Sequence, residues 1–171
     1  MRYIKALLAN LLVLIVFVPC VNAQTPDNFD TRAFIDLATR TTILEIKTAK
    51  LALLKSDNAE VKAYATRMLS EQQAVLAGLQ NLAKVTRVTT TNDSVSNEQQ
   101  LTAGGVAPWL DGEKFNQAYS KRRLQERKKL VALMRKGMES SDVNVRSYAT
   151  SALPVSLQQL YLAQQLSAGK S

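Results

Sequence analysis

Residues 59–84, AEVKAYATRMLSEQQAVLAGLQNLAK, decide the fold. Val61, Ala65, Met68, Gln72, Val75, Leu79 and Leu82 recur at steps of three and four, which sets them on one face of an α-helix. Ser56-Asp57-Asn58 stand just before this stretch and carry the short polar side chains that cap helix starts. The residues upstream read the same way. From Asp30 to Lys55 a second stripe runs through Phe34, Leu37, Ala38, Thr41, Glu45, Thr48 and Ala52, with Asp27, Asn28 and Asp30 as candidate N-caps. Two helices separated by so short a turn form an antiparallel hairpin.

The second half of the chain repeats the pattern. A third helix is expected from Gly112 to Glu139, with Phe115, Tyr119, Leu124, Arg127, Val131, Met134 and Met138 inward. Ser140-Ser141-Asp142 turn and recap the chain. A fourth helix follows from Val143 to Leu166, with Val145, Ala149, Ala152, Ser156, Gln159, Ala163 and Leu166 inward. Pro154 lies inside it, and its ring and missing N–H predict a kink. Val61-Lys62-Ala63-Tyr64-Ala65-Thr66 is echoed by Val145-Arg146-Ser147-Tyr148-Ala149-Thr150, each opening a helix after a Ser/Asp turn. Between the halves, Thr89 to Ser94 is polar and Ala103-Gly104-Gly105-Val106-Ala107-Pro108 breaks the chain again, with a short helix expected near Ser96 to Thr102. A connection this long crosses a bundle rather than turning tightly. The expected fold is all-α: a four-helix bundle of two helical hairpins joined by a long connection.

Composition agrees. The 171 residues are 46% hydrophobic and 21% charged, which excludes a disordered tail, a collagen-like repeat and a disulfide scaffold. Six Gly, four Pro and 6% aromatics favour helices over strands. No His is present, and the single Cys is Cys20, so His-based catalysis and His or Cys metal sites are excluded from residues 24–171.

The N-terminus reads as an address. In MRYIKALLANLLVLIVFVPCVNA, Arg2 and Lys5 precede an apolar run from Ala6 to Val18, and Val21-Asn22-Ala23 suits a signal peptidase. The expected signal peptide is residues 1–23, cut after Ala23, leaving residues 24–171 as one domain. The apolar run is short of the ~20 residues a bilayer span needs. Lipid attachment at Cys20 is the alternative, against which the preceding Pro19 argues. Either way the chain is expected to be exported, to the periplasm or the outside, with or without outer-membrane association.

Three segments then point to a family. Val61-Lys62-Ala63-Tyr64-Ala65-Thr66-Arg67-Met68, Gly112-x-x-Phe115-Asn116-x-x-Tyr119, and Leu153-Pro154 followed by Ala163 resemble the secreted bacterial domain of unknown function 4142. The resemblance runs from about Arg32 to Leu166 and implies a ferritin-like bundle. It carries no established activity. The chain departs from the family pattern in one consistent way. Glu71-Gln72 stand where an Asp-His pair is usual, Arg127 and Gln159 align with or near other histidines, and Asn116 replaces an Asp.

Three functional readings follow from the residues. Ferritin-like bundles hold metals with Glu and Glu-x-x-His motifs, and the latter motif is missing. A degenerate carboxylate metal site would fall to Glu45, Glu71 and Glu126. No nucleophile–base pair and no phosphate loop is apparent, so no enzymatic activity, catalytic residue or cofactor is expected. The second reading is anion binding. Nine basic residues face three acidic ones between Glu113 and Glu139, and Lys121/Arg122, Lys128/Lys129 and Arg135/Lys136 recur every seven residues as one face. Such a face suits anionic lipid headgroups or another envelope polyanion. Nucleic acid is excluded by export and by the lack of interleaved aromatics. The third reading is a module that associates with an envelope partner or with itself.

Finally, Glu45, Gln72, Arg127 and Gln159 each interrupt an apolar stripe near the middle of its helix. They are expected to meet in one buried polar layer, with Glu45 paired to Arg127 and the two glutamines completing the hydrogen bonds.

Overall fold

A computed structural model of the protein describes residues 30–90 and 108–169. They form four helices: α1 (Thr31–Lys55), α2 (Ala59–Val85), α3 (Gly112–Gly137) and α4 (Val143–Ser167). No strand occurs among the described residues. The expected signal peptide over residues 1–23, its Cys20, and the short helix expected over 96–102 lie outside them.

Local chemistry sets the helix starts. Asp30 accepts from the backbone N–H groups of Arg32 and Ala33, Asn58 from those of Glu60 and Val61, and Asp142 from those of Asn144 and Val145. Each satisfies donors that the first helical turn leaves without partners. Asp111 stands in the same position before α3 but makes no such cap. Its carboxylate instead meets Lys55 Nζ at 2.7 Å and ties the start of α3 to the end of α1. At the end of α2, Arg87 adopts φ 57°, and the Val88 N–H reaches back to the Ala83 carbonyl. This is the left-handed helix stop.

α1 packs along α2 and α3 packs along α4, giving two hairpins. The hairpins meet through α1 against α3 and α2 against α4. Ser56 Oγ donates to Asn116 Oδ1 at 2.6 Å, so α3 begins beside the end of α1. Gly137, at the other end of α3, lies against Phe34 near the start of α1. α1 and α3 are therefore antiparallel. The chain between α2 and α3 has to return the length of the bundle, about 40 Å for the 27 residues of α2.

Two apolar clusters fill the core. One holds Met68, Phe115, Tyr119 and Leu166; the other holds Phe34, Leu79, Met134 and Val145. On every helix the buried polar residues fall between these clusters in sequence, apart from Asn116, which lies beside Phe115 at the start of α3. The core is thus apolar at both ends and polar in the middle.

The stripes need two corrections. Leu37 is 54% exposed, and Ile35, on the other edge of the α1 stripe, is buried in its place. Met138 lies just past the end of α3 and is also exposed. α4 runs without interruption through Pro154, which lies on its exposed side.

Candidate functional site

The buried layer draws on all four helices. Glu45 of α1, Gln72 of α2, Arg123 and Arg127 of α3, and Gln159 of α4 are each at most 2% exposed. Arg123 Nη1 donates to Glu45 Oε2. Arg127 Nη2 stands 3.0 Å from Glu45 Oε1, an ion pair whose alignment is poor for a hydrogen bond. Arg127 Nη1 donates to Gln159 Oε1 at 2.7 Å, and Gln72 Nε2 donates to the same oxygen at 3.2 Å. Gln159 Nε2 then donates to Glu71 Oε2 at 2.8 Å, and Glu71 Oε1 accepts from Arg67 Nε at 2.7 Å. A continuous polar chain therefore leads from the middle of the core to the surface of α2.

Its electrostatics favour fixed charges. Burial alone would raise the Glu45 carboxyl, but the Arg123 and Arg127 guanidiniums outweigh it and hold the pKa below the ordinary value. Burial likewise opposes the charge on Arg127, and the Glu45 carboxylate overcomes it, so Arg127 is pushed above its usual range. Tyr64 and Tyr119 border the layer. Burial, and after it the Glu45 charge, pushes Tyr64 up to about 12 and Tyr119 well above 10. The Arg123 guanidinium also lies 5.4 Å from the centre of the Tyr119 ring, within cation–π range. A buried arrangement of this kind need not add net stability, but removing one member strands the others.

The structure brings together the four residues expected in this layer, and changes their partnerships. Glu45 is shared by two arginines rather than held by Arg127 alone. Gln159 bonds to both Arg127 and Glu71, Gln72 bonds to Gln159, and neither glutamine bonds to Glu45. Arg123 is the residue that sequence reasoning missed. Counting it among the basic residues of α3 concealed that Asn116, Ser120, Arg123 and Arg127 follow one another at steps of four, three and four, a second buried polar stripe.

The basic face divides into two sets. Lys121, Lys128, Lys129, Arg135 and Lys136 are exposed on the side of α3 away from the core. Arg122 is half-buried and pairs with Glu126 at 2.7 Å, and Lys129 pairs with the same carboxylate at 3.2 Å. Among the described residues no ion pair engages Lys121, Lys128, Arg135 or Lys136.

The three carboxylates considered for a metal do not converge. Glu45 faces two guanidiniums, Glu71 bonds to Arg67 and Gln159, and Glu126 bonds to Arg122 and Lys129. Among the described residues no three Asp, Glu, His or Cys side chains gather as a cation would require. Nor is any described helix long and apolar enough to cross a membrane.

The order of these four helices over so much of the chain bears directly on the family. A family model described as a domain of unknown function (DUF4142) matches residues 18–166. The chain belongs to the DUF4142 family. No curated protein and no solved structure matches it. Within this DUF4142 protein, Arg127 and the glutamines at 72 and 159 lie together in the buried middle of the bundle.

Proposed function

We propose that this DUF4142 protein is an exported, non-enzymatic binding module that meets anionic, phosphate-bearing membrane surfaces through the outer face of α3. One observation carries the reading: Lys121, Lys128, Arg135 and Lys136 project from a single exposed helix face with no acidic partner among the described residues. Exposed cations this close together raise the local concentration of an anionic partner. Each Lys or Arg near an anionic bilayer contributes ~1 kcal/mol, and salt screens the attraction within about 10 Å. Glu126 partly neutralises the edge of the face at Arg122 and Lys129, so the central cations carry most of the attraction. Export follows from residues 1–23 as a cleaved signal peptide.

Co-sedimentation with phosphatidylglycerol-containing vesicles tests the contact. The parent is expected to bind at low salt and to dissociate as salt rises. The combined variant Lys121→Gln, Lys128→Gln, Lys129→Gln, Lys136→Gln is expected to stay in solution. Equal binding by this variant would reduce the face to a solubilising one. Intact mass of the protein from its native host tests the export signal. A chain beginning at Gln24 supports it, and a chain that retains Cys20 with acyl groups makes the protein a lipoprotein.

A further inference from the structure

The seam between α2 and α4, away from the basic face, opens into a cleft of about 370 Å³. Its apolar walls include Val75, Leu79, Leu130, Met134 and Val155. It runs from Glu71 to Leu79 along α2, eight residues or about 12 Å of helix. Such dimensions suit a small ligand with one short alkyl or aryl body.

The polar end of the cleft is selective. Among the described residues Glu71 is its one charged lining residue, and its side chain is 27% exposed. Gln159 also lines it; one of its amide N–H groups is given to Glu71, and its oxygen accepts from Arg127 and Gln72. Thr42 and Ser156 give their hydroxyl hydrogens to the Ala38 and Ala152 carbonyls, so toward the cleft both offer only oxygen lone pairs. Glu71, Thr42 and Ser156 present acceptors here, against one remaining Gln159 N–H and, farther along the cleft, the Tyr148 and Ser151 hydroxyls. A carboxylate or phosphate head would face the Glu71 carboxylate and meet more acceptors than donors there. A primary ammonium supplies three donors and a positive charge. Arg67 holds only one edge of the Glu71 carboxylate, which keeps further acceptor capacity.

The surroundings agree with a cationic ligand. α4 contains a single charged residue, Arg146, and the two cations beside the polar end of the cleft, Arg67 and Arg127, are each engaged by a carboxylate, Glu71 and Glu45.

We propose that the α2–α4 cleft binds small primary amines with an apolar body, the ammonium docking on Glu71 and the body lying between Val75, Leu79, Met134 and Val155. This site is separate from the membrane contact, and neither depends on the other.

Hexylamine, hexanol and hexanoate at matched concentration test it on the full chain, read by saturable NMR shifts of α2 and α4 amides. Hexylamine is expected to bind at least tenfold tighter than hexanol, with hexanoate weakest. Glu71→Gln is expected to bring hexylamine to the level of hexanol. Arg67→Gln, which frees the carboxylate, is expected to keep or raise hexylamine affinity. Ala74→Phe fills the cleft from the exposed side of α2 and is expected to abolish all three. The thermal midpoint of each variant reports whether it remains folded. Hexanoate binding as tightly as hexylamine, unchanged binding in folded Ala74→Phe, or no saturable shift with any probe overturns the proposal.

Discussion

Gln159 Nε2 donates to Glu71 Oε2 at 2.8 Å, and through that bond a charge cluster in the core reaches the protein surface. The same side chain turns its oxygen to Arg127 and Gln72. Only an amide offers an acceptor and donors on one short side chain in this way. Its orientation is set by its partners, since a flipped amide would point hydrogens at Arg127 and an oxygen at Glu71. Gln159 is therefore a joint between two charged regions, and Glu45 is the anchor of the inner one.

Glu45 offsets two buried guanidiniums, which ranks the variants of this layer. Glu45→Gln leaves Arg123 and Arg127 both uncompensated and is expected to cost about 3–5 kcal/mol. Arg127→Met leaves Glu45 paired with Arg123 and is expected to cost less. Glu45→Gln with Arg127→Met recovers only part of the loss, because Arg123 is still stranded. Adding Arg123→Met should recover most of the remainder. Urea unfolding of the series measures this. Additive losses, or a greater loss for Arg127→Met than for Glu45→Gln, would show that Glu45 is not the shared partner.

The helices, their caps and the level of the polar layer were legible because each follows from local spacing. A three–four stripe with an Asn or Asp before it marks a helix start, although a partner can divert the cap, as Lys55 diverts Asp111 before α3. Partnerships were not legible in the same way. Arg123 and Lys121 look alike in a charge count, yet one is buried against Glu45 and the other is exposed. Which cation turns inward depends on its angle about α3 and on Glu45 standing at the same height of α1. The α2–α4 cleft was invisible for a similar reason, since it arises where two hairpins fail to fill the seam between them.

Acid should weaken the fold through Glu45. Its carboxyl has a pKa below 4.5 in the folded state, so the folded protein releases this proton more readily than the unfolded chain. The stability it confers is complete above about pH 4.5 and is lost as pH falls through the lowered value. Unfolding free energy measured from pH 6 to pH 2 should therefore drop more steeply in the parent than in Glu45→Gln. Parallel curves would remove Glu45 as the cause.

Alkali should act through the tyrosines, with the opposite sign. Tyr64 and Tyr119 are held protonated in the fold, Tyr64 up to about 12. Their contribution is complete below about pH 10, where the unfolded phenol titrates, and is lost as pH rises beyond it. The Tyr119 hydroxyl has no hydrogen-bond partner among the described residues. Tyr119→Phe is expected to cost less than ~1 kcal/mol at pH 7 and to flatten the alkaline loss. Unfolding curves at pH 7 and between pH 10 and 12 check both parts.

Gly137 tests the packing of the two hairpins. It ends α3 on a buried side, where α1 and α4 both approach. A Cβ built there would stand 2.7 Å from Phe34 Cε2 and 2.8 Å from Ala149 Cβ. Phe34 has little room to yield, being 2% exposed and set edge-on to Tyr148 at 6.4 Å. Ala149 Cβ is fixed to the backbone of α4 and moves only with that helix. Gly137→Ala gains roughly 0.5–1 kcal/mol of helix preference. Overpacking costs about 1–3 kcal/mol, so the net change should be destabilising. Gly78→Ala is the control: its Cβ meets only Tyr148 Cε2, at 3.3 Å, and a small ring shift relieves it. Thermal unfolding should rank Gly137→Ala below both Gly78→Ala and the parent. Adding Ala149→Gly should return part of the loss by removing one of the two clashes. A Gly137→Ala variant as stable as the parent would mean that α3 and α4 are not in close contact at this point.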